Sequence, residues 1–229
     1  MKKIDPQLLQ MQRTSEEILW SNIFHDTIIN STWFKDKTVS PGRWAVGYPF
    51  LYVLYRVLNE VKPKSILELG VGQSTRMTAQ YSNTSGCKHV AVDHDPEWLD
   101  FFKKQCDFLK NVRLETLPLL KKDCFIYEGF EKVICNKQFD LIIIDAPYGF
   151  QAKPNSPARI DVLPFIPECL TENFVILLDD FNRTGEQEML KLLLSKLGSN
   201  SVQYQTGIYS GQKDTMLVSG GSLGFLCTM

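Results

Sequence analysis

The segment SILELGVGQSTRMTAQY, residues 65–81, decides the fold of this chain. Its first five residues form an apolar run with one internal acid, Glu68, which indicates a buried strand. Gly70 and Gly72 interrupt the run, and residues 73–75 lead into a helical pattern. A helix that begins directly after a glycine turn presents free backbone N–H groups, and the turn admits a ligand close to the backbone. The segment therefore predicts a strand, a ligand-binding turn and a helix.

Strands and helices alternate along the rest of the chain. The run at 139–144 is almost continuously apolar, which is typical of a strand buried on both faces. This alternation predicts a doubly wound parallel sheet with helices on both faces. Residues 118–136 have no clear pattern, although 125–133 could be helical. The predicted strands are 65–69, 89–92, 112–117, 139–144 and 174–178, and the predicted helices lie near 50–61, 74–81, 97–109, 160–170 and 184–197.

The end of the chain carries two further strand patterns, near 202–209 and 215–219. They are too close together for a helical crossover, so they must pair antiparallel as a hairpin. The fold class predicted is α/β, with a doubly wound, Rossmann-like and mostly parallel sheet. A C-terminal antiparallel hairpin and an N-terminal helical extension complete it.

The first 45 residues are polar, with apolar side chains at helical spacing. We expect residues 1–45 to form a helical extension, acting either as a lid or as a dimer contact, and residues 46–229 to form the Rossmann-like domain. Aromatic residues cluster around a glycine at position 42, and they belong either to the core or to a substrate wall. This cluster consists of Trp33, Phe34, Trp44, Tyr48 and Phe50.

Composition narrows the classes of partner. A formal net charge of −1 gives no general attraction to nucleic acid. The six cysteines and three histidines are scattered without a C-x-x-C pair, so neither a zinc site nor a disulfide framework is predicted. The N-terminal residues lack the apolar core of a signal peptide, and no apolar run is long enough to cross a bilayer. We therefore expect a cytoplasmic protein that binds neither nucleic acid nor membrane.

Acidic residues stand at the ends of three predicted strands. Asp93 follows the second strand, Asp145 follows the fourth and Asp180 follows the fifth. A carboxylate is costly inside a sheet, but the carboxyl ends of parallel strands meet at the edge where α/β proteins bind ligands. Both oxygens of one carboxylate can accept hydrogen bonds, which suits Asp93 to the hydroxyls of a ribose.

Together these residues resemble the Rossmann-like, class I S-adenosylmethionine-dependent methyltransferases. The resemblance covers roughly residue 65 to the end of the chain, and the terminal hairpin fits that family as well. It is carried by ELGVG at 68–72, by Asp93, and by DAPYG at 145–149. Many members have a third glycine where this chain has residues 73–75. The resulting E-L-G-x-G-x-S-T pattern is similar to that of a subset of small-molecule methyltransferases.

The resemblance implies S-adenosylmethionine as the cofactor. It places Asp93 on the ribose hydroxyls and His94 near the adenine, and it gives the turn amides the carboxylate of the ligand. Glu68 would orient the turn or meet the amino group through water. The acid that often follows the third strand, for the adenine amine, has no clear counterpart here. The implied cofactor-binding residues are Glu68, Gly70, Gly72, Ser74, Thr75, Asp93, His94 and Asp145.

Methyl transfer requires an aligned nucleophile and, for many acceptors, removal of its proton. The resemblance puts Asp145 beside the methyl group and makes Asp145 and Asp180 the candidate catalytic residues. Two acids in this place are also similar to the divalent-metal site of catechol-type O-methyltransferases. Those enzymes have Asn directly after the second acid, whereas here Phe181 comes before Asn182. We therefore predict no metal ligands and keep a divalent metal as an alternative.

The acceptor site is expected to include Tyr148 and Arg159. Arg159 and Arg183 follow the fourth and fifth strands and would either clamp an anionic acceptor or form ion pairs with Asp161 or Glu186. The segments around these residues are similar to those of plant polysaccharide O-methyltransferases. That similarity favours methyl transfer to oxygen of a small-molecule or sugar-like acceptor.

Two other functions fit parts of the pattern. A NAD-dependent oxidoreductase uses the same type of sheet, but it predicts a third glycine where Thr75 stands and does not explain the terminal hairpin. A non-catalytic S-adenosylmethionine-binding module would keep the pocket without the chemistry. Asp145 and Asp180 argue against this second alternative.

Overall fold

The structure is a computed structural model that describes residues 5–149 and 153–229, so the first four residues of the predicted extension lie outside it. The helices are α1 (Pro6–Ile28), α2 (Tyr48–Arg56), α3 (Gln73–Ser85), α4 (Pro96–Gln105), α5 (Glu131–Ile134) and α6 (Thr184–Ser199). The strands are β1 (Ser65–Leu69), β2 (Lys88–Asp93), β3 (Val112–Thr116), β4 (Leu119–Lys121), β5 (Phe125–Tyr127), β6 (Phe139–Ile144), β7 (Leu170–Leu178), β8 (Tyr204–Ser210) and β9 (Asp214–Gly220).

Seven strands form one sheet in the order β3-β2-β1-β6-β7-β9-β8. The first five strands in this order are parallel, and β9 pairs antiparallel with both β7 and β8. The sheet and its terminal hairpin confirm the predicted fold class. The order reverses direction between β1 and β6, so the carboxyl ends of these two strands flank the crevice in which open α/β sheets bind ligands.

The central strands are buried on both faces, because their alternate side chains enter two different core layers. In β6, Ile142 and Ile144 belong to one layer, whereas Leu141 and Ile143 belong to the other. All four side chains are fully buried. A strand in this position needs apolar residues at every step, which explains the continuous run in the sequence.

The helix expected at 160–170 does not form. Only Leu163–Phe165 make a 3-10 turn, and Leu170 already begins β7. Pro164 and Pro167 lie within the segment, and a proline inside a helix removes a hydrogen bond and clashes with the preceding turn. The apolar spacing was typical of a helix, but the two prolines exclude one.

The helix considered at 125–133 is also wrong over most of its length. Phe125–Tyr127 form β5, which pairs antiparallel with β4 in a small separate sheet. Gly129 follows at a φ of +79°, a conformation that ends the strand and that a helix cannot contain. The helical part is limited to the single turn of α5.

The N-terminal extension contains one long helix, α1, which packs on α2 and contacts the terminal hairpin. The guanidinium of Arg13 donates to both carboxylate oxygens of Asp214, at 2.9 and 3.2 Å, and the indole of Trp20 donates to the carbonyl of Ser210 at 2.9 Å. Phe24 is fully buried in the core layer that α2 also enters. The core therefore continues across the predicted boundary at residue 45. None of the helices in the described ranges is long and apolar enough to span a membrane.

Candidate functional site

A cavity of about 850 Å³ opens at the carboxyl edge of the sheet. Another of about 900 Å³ lies near the amino ends of β1 and β2, but the carboxyl edge is where this type of sheet binds ligands. The predicted site residues in the wall of the first cavity are Gly70, Gly72, Asp93, His94, Asp145, Tyr148, Arg159 and Asp180.

The glycine turn between β1 and α3 forms one wall. Gly70 adopts a φ of +97°, and a Cβ there would lie 3.0 Å from the Cβ of Ala146. Around Gly72 an added Cβ would meet nothing within 4 Å, because that face is open to the cavity. The hydroxyl of Thr75 accepts the N–H of Gly72 at 2.9 Å. The turn is thus held from the helix side and leaves room for a ligand in front.

Asp93 ties the glycine turn to the end of β2. One carboxylate oxygen accepts the N–H of Val71 at 2.9 Å, and the other accepts the N–H groups of His94 and Asp95 at 2.7 and 3.0 Å. A carboxylate has about four acceptor positions, so about one remains for a ligand. The remaining acceptor position fits one hydroxyl of a bound nucleoside. Two ribose hydroxyls would need about one acceptor position more than Asp93 has free.

His94 and Tyr148 form a pair across the mouth of the cavity. The Nε2 atom of His94 lies 2.9 Å from the hydroxyl of Tyr148, and the two rings meet edge to face at 4.7 Å between centroids. Tyr148 is 53% exposed, so part of its ring stays available for contact with a ligand. The structure therefore brings the predicted adenine contact beside the predicted acceptor contact.

Three predicted cofactor residues lie behind the turn. Glu68, Ser74 and Thr75 are buried and are not among the described residues that line the cavity. Glu68 instead accepts the hydroxyl of Thr78 at 2.9 Å and lies 3.0 Å from Nε2 of His89. Thr75 therefore fixes the turn, whereas Glu68 accepts no backbone N–H of the turn among the described residues and links α3 to β2 instead. Direct contact with a ligand in the cavity would require either residue to move.

Arg159 is the centre of a buried charge cluster at the ends of β6 and β7. Its guanidinium donates to the carbonyl of Pro147 at 3.1 Å, to the carbonyl of Asp179 at 3.2 Å and to the carboxylate of Asp180 at 2.9 Å. It also lies 3.4 Å from the carboxylate of Glu186, one of the partners considered from the sequence. Burial alone would lower the pKa of Arg159, but the surrounding carboxylates raise it, so the guanidinium stays charged.

The pKa values of the acids in this cluster are shifted in different directions. Burial, together with the nearby Asp179 carboxylate, raises the pKa of Asp145 well above its usual range. Burial also raises the pKa of Asp179. Burial acts on Asp180 in the same direction, but Arg159, Lys213 and Arg183 outweigh it and lower the pKa of Asp180. The pKa values of two acids at neighbouring strand ends are thus shifted in opposite directions, a pattern that is common at sites of proton transfer.

Two of the seven non-glycine residues that have a positive φ in the described part of the chain belong to this cluster. Arg159 and Asp180 both have positive φ values, +54° and +58°. Residues other than glycine rarely adopt this region, and such strain is concentrated at functional sites. Both side chains lie near Asp145, Arg159 at 3.6 Å and a carboxylate oxygen of Asp180 within 4.8 Å.

The structure adds four residues to the predicted site. Trp44 lines the cavity while 86% exposed, and Trp98 donates its indole N–H to the carbonyl of Val71 at 2.7 Å. Asp179 is fully buried at the end of β7, beside Asp180. Lys213, just before β9, reaches Asp179 and Asp180. The adjacent acids at 179 and 180 were a visible signal in the sequence, whereas nothing local pointed to Lys213.

Solved structures of methyltransferases have the same fold. A methyltransferase from Podospora anserina, with SAH bound, matches with a TM-score of 0.55 and 14% identity over 97% of this chain and 99% of that one. The O-methyltransferase from Bacillus cereus in complex with SAH matches with a TM-score of 0.51 and 15% identity over 90% of each chain. Precorrin-6y C5,15-methyltransferase from Geobacter metallireducens matches with a TM-score of 0.50 and 14% identity over 82% of this chain and 96% of that one.

The chain therefore has the Rossmann-like fold of the class I methyltransferases. No family model matches its sequence, and no curated protein matches it. At 14–15% identity the likeness is one of fold, and the function has to be argued from the site.

Proposed function

We propose that this protein is an S-adenosylmethionine-dependent methyltransferase that acts on oxygen of a small-molecule or sugar-like acceptor. The observation that carries the proposal is the position of Asp93. Its carboxylate fixes the glycine turn through Val71 and lines a cavity of about 850 Å³ at the carboxyl edge of the sheet. The fold supports the proposal, since two solved neighbours with this fold were determined with SAH.

The residues of the cavity fit the proposed cofactor. The open face of Gly72 allows a ligand to approach the N-terminus of α3, where the helix dipole and backbone N–H groups favour a carboxylate. The remaining acceptor capacity of Asp93 suits a ribose hydroxyl. Trp98 and His94 offer ring surfaces nearby for the adenine. A sulfonium cation is also compatible with a wall that includes Asp145 and Asp180.

Asp145 is the residue we assign to proton removal. The pKa of Asp145 is raised toward neutral pH, so its carboxylate is a stronger base than that of an ordinary aspartate. S-adenosylmethionine, when bound, supplies the methyl group: the acceptor oxygen forms the new bond to carbon with its own electron pair, and the sulfur–carbon bond breaks with its electrons staying on sulfur. Asp145 takes the acceptor proton and later releases it to water, so charge is balanced.

The acceptor lies, in this proposal, between Tyr148, Trp44 and the exposed side of the charge cluster. Arg159 has its donors engaged by Pro147, Asp179 and Asp180, so it holds the cluster together more than it reaches outward. Arg183 pairs with Asp180 at 2.9 Å and has 41% of its side chain exposed. It is the arginine available to an acceptor with a polar or anionic group.

Calorimetric titration and thermal unfolding test the proposal. We expect SAH and S-adenosylmethionine to bind the full chain and to stabilise it by a few kcal/mol at saturating concentration. NAD should do neither at the same concentration. Glu97→Gln removes a carboxylate on the exposed side of α4, outside the cavity wall. It is the matched control for loss of the Asp93 carboxylate and should bind SAH like the wild type.

Transfer of a labelled methyl group to a panel of sugars, phenols and small hydroxy compounds then tests the chemistry. Transfer to any oxygen acceptor supports the proposal. Binding of NAD in place of SAH would replace it with the oxidoreductase alternative. Tight SAH binding without transfer to any acceptor in a broad panel would favour a non-catalytic binding module.

A further inference from the structure

Lys213 brings a cation into the proposed methyl-transfer site from the end of the chain. It precedes β9, and its ammonium lies 3.1 Å from a carboxylate oxygen of Asp179 and 3.2 Å from one of Asp180. The side chain is 14% exposed and lines the cavity. Because β9 pairs with β7, the hairpin holds this ammonium at the end of β7, directly opposite the strand-end acids.

Three carboxylates converge at this point. One oxygen each of Asp145, Asp179 and Asp180 lies within 4.8 Å of the others, which is close enough for the three to share a cation. Among the described residues, the second oxygen of Asp179 has no hydrogen-bond partner although the residue is fully buried. Carboxylates so close together repel one another when they are ionised, and a cation beside them offsets that cost.

The position between the carboxylates is held by side chains of the protein itself. Lys213 contacts two of the three acids, and Arg159 lies 3.6 Å from Asp145 and 2.9 Å from Asp180. A divalent ion at the same place would meet an ammonium and a guanidinium at short range. The residues present therefore do not fit the metal that the two strand-end acids had left open as an alternative.

We propose that Lys213 is a catalytic residue whose ammonium takes the place of a divalent metal and stabilises negative charge on the acceptor oxygen. The proposal rests on the proposed function. In it, Lys213 neither gains nor loses a proton, and the acceptor proton goes to Asp145. A fixed cation beside an oxygen that is losing its proton supplies the same electrostatic help as a bound metal.

The charge state of Lys213 agrees with this role. Burial alone would lower its pKa, but Asp179, Asp180 and Asp145 raise it above the usual value. The group therefore stays an ammonium at neutral pH. A lysine that acted as a general base at this position would need a lowered pKa instead.

The test is metal binding by a variant that removes Lys213, one of the two cations at this position. Lys213→Ala leaves the three carboxylates without the ammonium, so we expect it to bind Mn²⁺ in calorimetric titration, while the wild type does not. Arg183→Ala is the matched control. It removes a cation from Asp180 on the exposed side and should gain no Mn²⁺ binding. If Lys213→Ala does not fold, Lys213→Gln replaces it, because the amide keeps hydrogen-bond donors without the charge.

The kinetic part uses the acceptor found for the wild type. Lys213→Ala should lower kcat by about 100-fold or more, with SAH affinity changed less than about threefold, and Lys213→Arg should recover part of the loss because it keeps the charge. Mn²⁺ binding by the wild type, or none by either neutral variant, would overturn the proposal. Failure of the wild type to bind SAH would instead refute the proposed function, and the Mn²⁺ titration would still decide what occupies the acid cluster.

Discussion

The guanidinium of Arg159 lies 2.9 Å from the carboxylate of Asp180 and 3.6 Å from that of Asp145, and only 3% of Arg159 is exposed. One arginine thus joins the ends of β6 and β7 by an ion pair that water hardly reaches. Breaking such a pair leaves buried charge uncompensated, which is far more costly than losing a pair on the surface. The contrast with Arg183, which pairs with Asp180 from the solvent side, makes this difference measurable.

Arg159→Met is expected to destabilise the protein by about 3–5 kcal/mol, because Asp145, Asp180 and Glu186 lose their shared buried cation. The loss should be larger at pH 8 than at pH 5. Removing the guanidinium raises the pKa values of these acids in the folded state relative to the wild type, so the folded variant binds more protons and its stability falls further below that of the wild type as pH rises. Denaturant unfolding at both pH values measures this. Arg183→Met, the control, should lose less than about 1 kcal/mol; equal losses in the two variants would contradict the assignment.

Asp145→Asn is expected to remove the ascending limb of the pH profile for methyl transfer. In the wild type the deprotonated base accumulates as pH rises through the raised pKa of Asp145, so kcat should increase over a range well above that of an ordinary aspartate. The variant should have a much lower kcat without that limb, while its affinity for SAH stays within a few-fold. The same limb in the variant would assign the base to another residue.

Asp93→Asn is expected to weaken SAH binding about tenfold or more, a change of about 1.4 kcal/mol in binding free energy per factor of ten. The amide has one acceptor oxygen, so at least one of the N–H groups of Val71, His94 and Asp95 would face a donor. Calorimetry with SAH measures the effect, and thermal unfolding should show a lower Tm. Unchanged affinity would place the ribose away from Asp93.

The sheet could be predicted from the sequence because local patterns determine it. The continuous apolar run of β6 indicates a strand that is buried on both faces. The strand–glycine–helix pattern after Ser65 indicates a turn at the carboxyl edge of the sheet. The helix predicted at 160–170 failed for a reason that was already visible, since Pro164 and Pro167 exclude it.

The site could be predicted only where its residues follow parallel strands. Asp93, Asp145 and Asp180 meet because the carboxyl ends of neighbouring strands lie side by side. Lys213 reaches Asp179 across 34 residues, through strand pairing that no local pattern specifies. Whether a tryptophan such as Trp44 is buried in the core or exposed at a cavity depends on the tertiary packing around it.

Asp161→Asn is expected to stabilise the protein at pH 8 and to change little at pH 4.5. Asp161 accepts the N–H of Tyr127 at 2.7 Å, its other oxygen has no hydrogen-bond partner within the described ranges, and burial raises its pKa to about 6. Between the unfolded pKa near 4 and this value the folded state binds more protons than the unfolded state. Wild-type stability therefore falls as pH rises through that window, and the cost remains at higher pH.

The amide carries no charge and keeps the oxygen for Tyr127, while its NH2 group replaces the oxygen without a partner and offsets part of the gain. We expect a gain on the order of 2 kcal/mol at pH 8, given a shift of about two units at about 1.4 kcal/mol each and partial relaxation around the carboxylate. Denaturant unfolding at the two pH values measures it. Asp123→Asn, with 73% of the Asp123 side chain exposed, is the control and should differ from the wild type by less than about 0.5 kcal/mol at both. An equal gain in the free energy of unfolding at pH 4.5 and pH 8 would show that burial does not raise the pKa of Asp161.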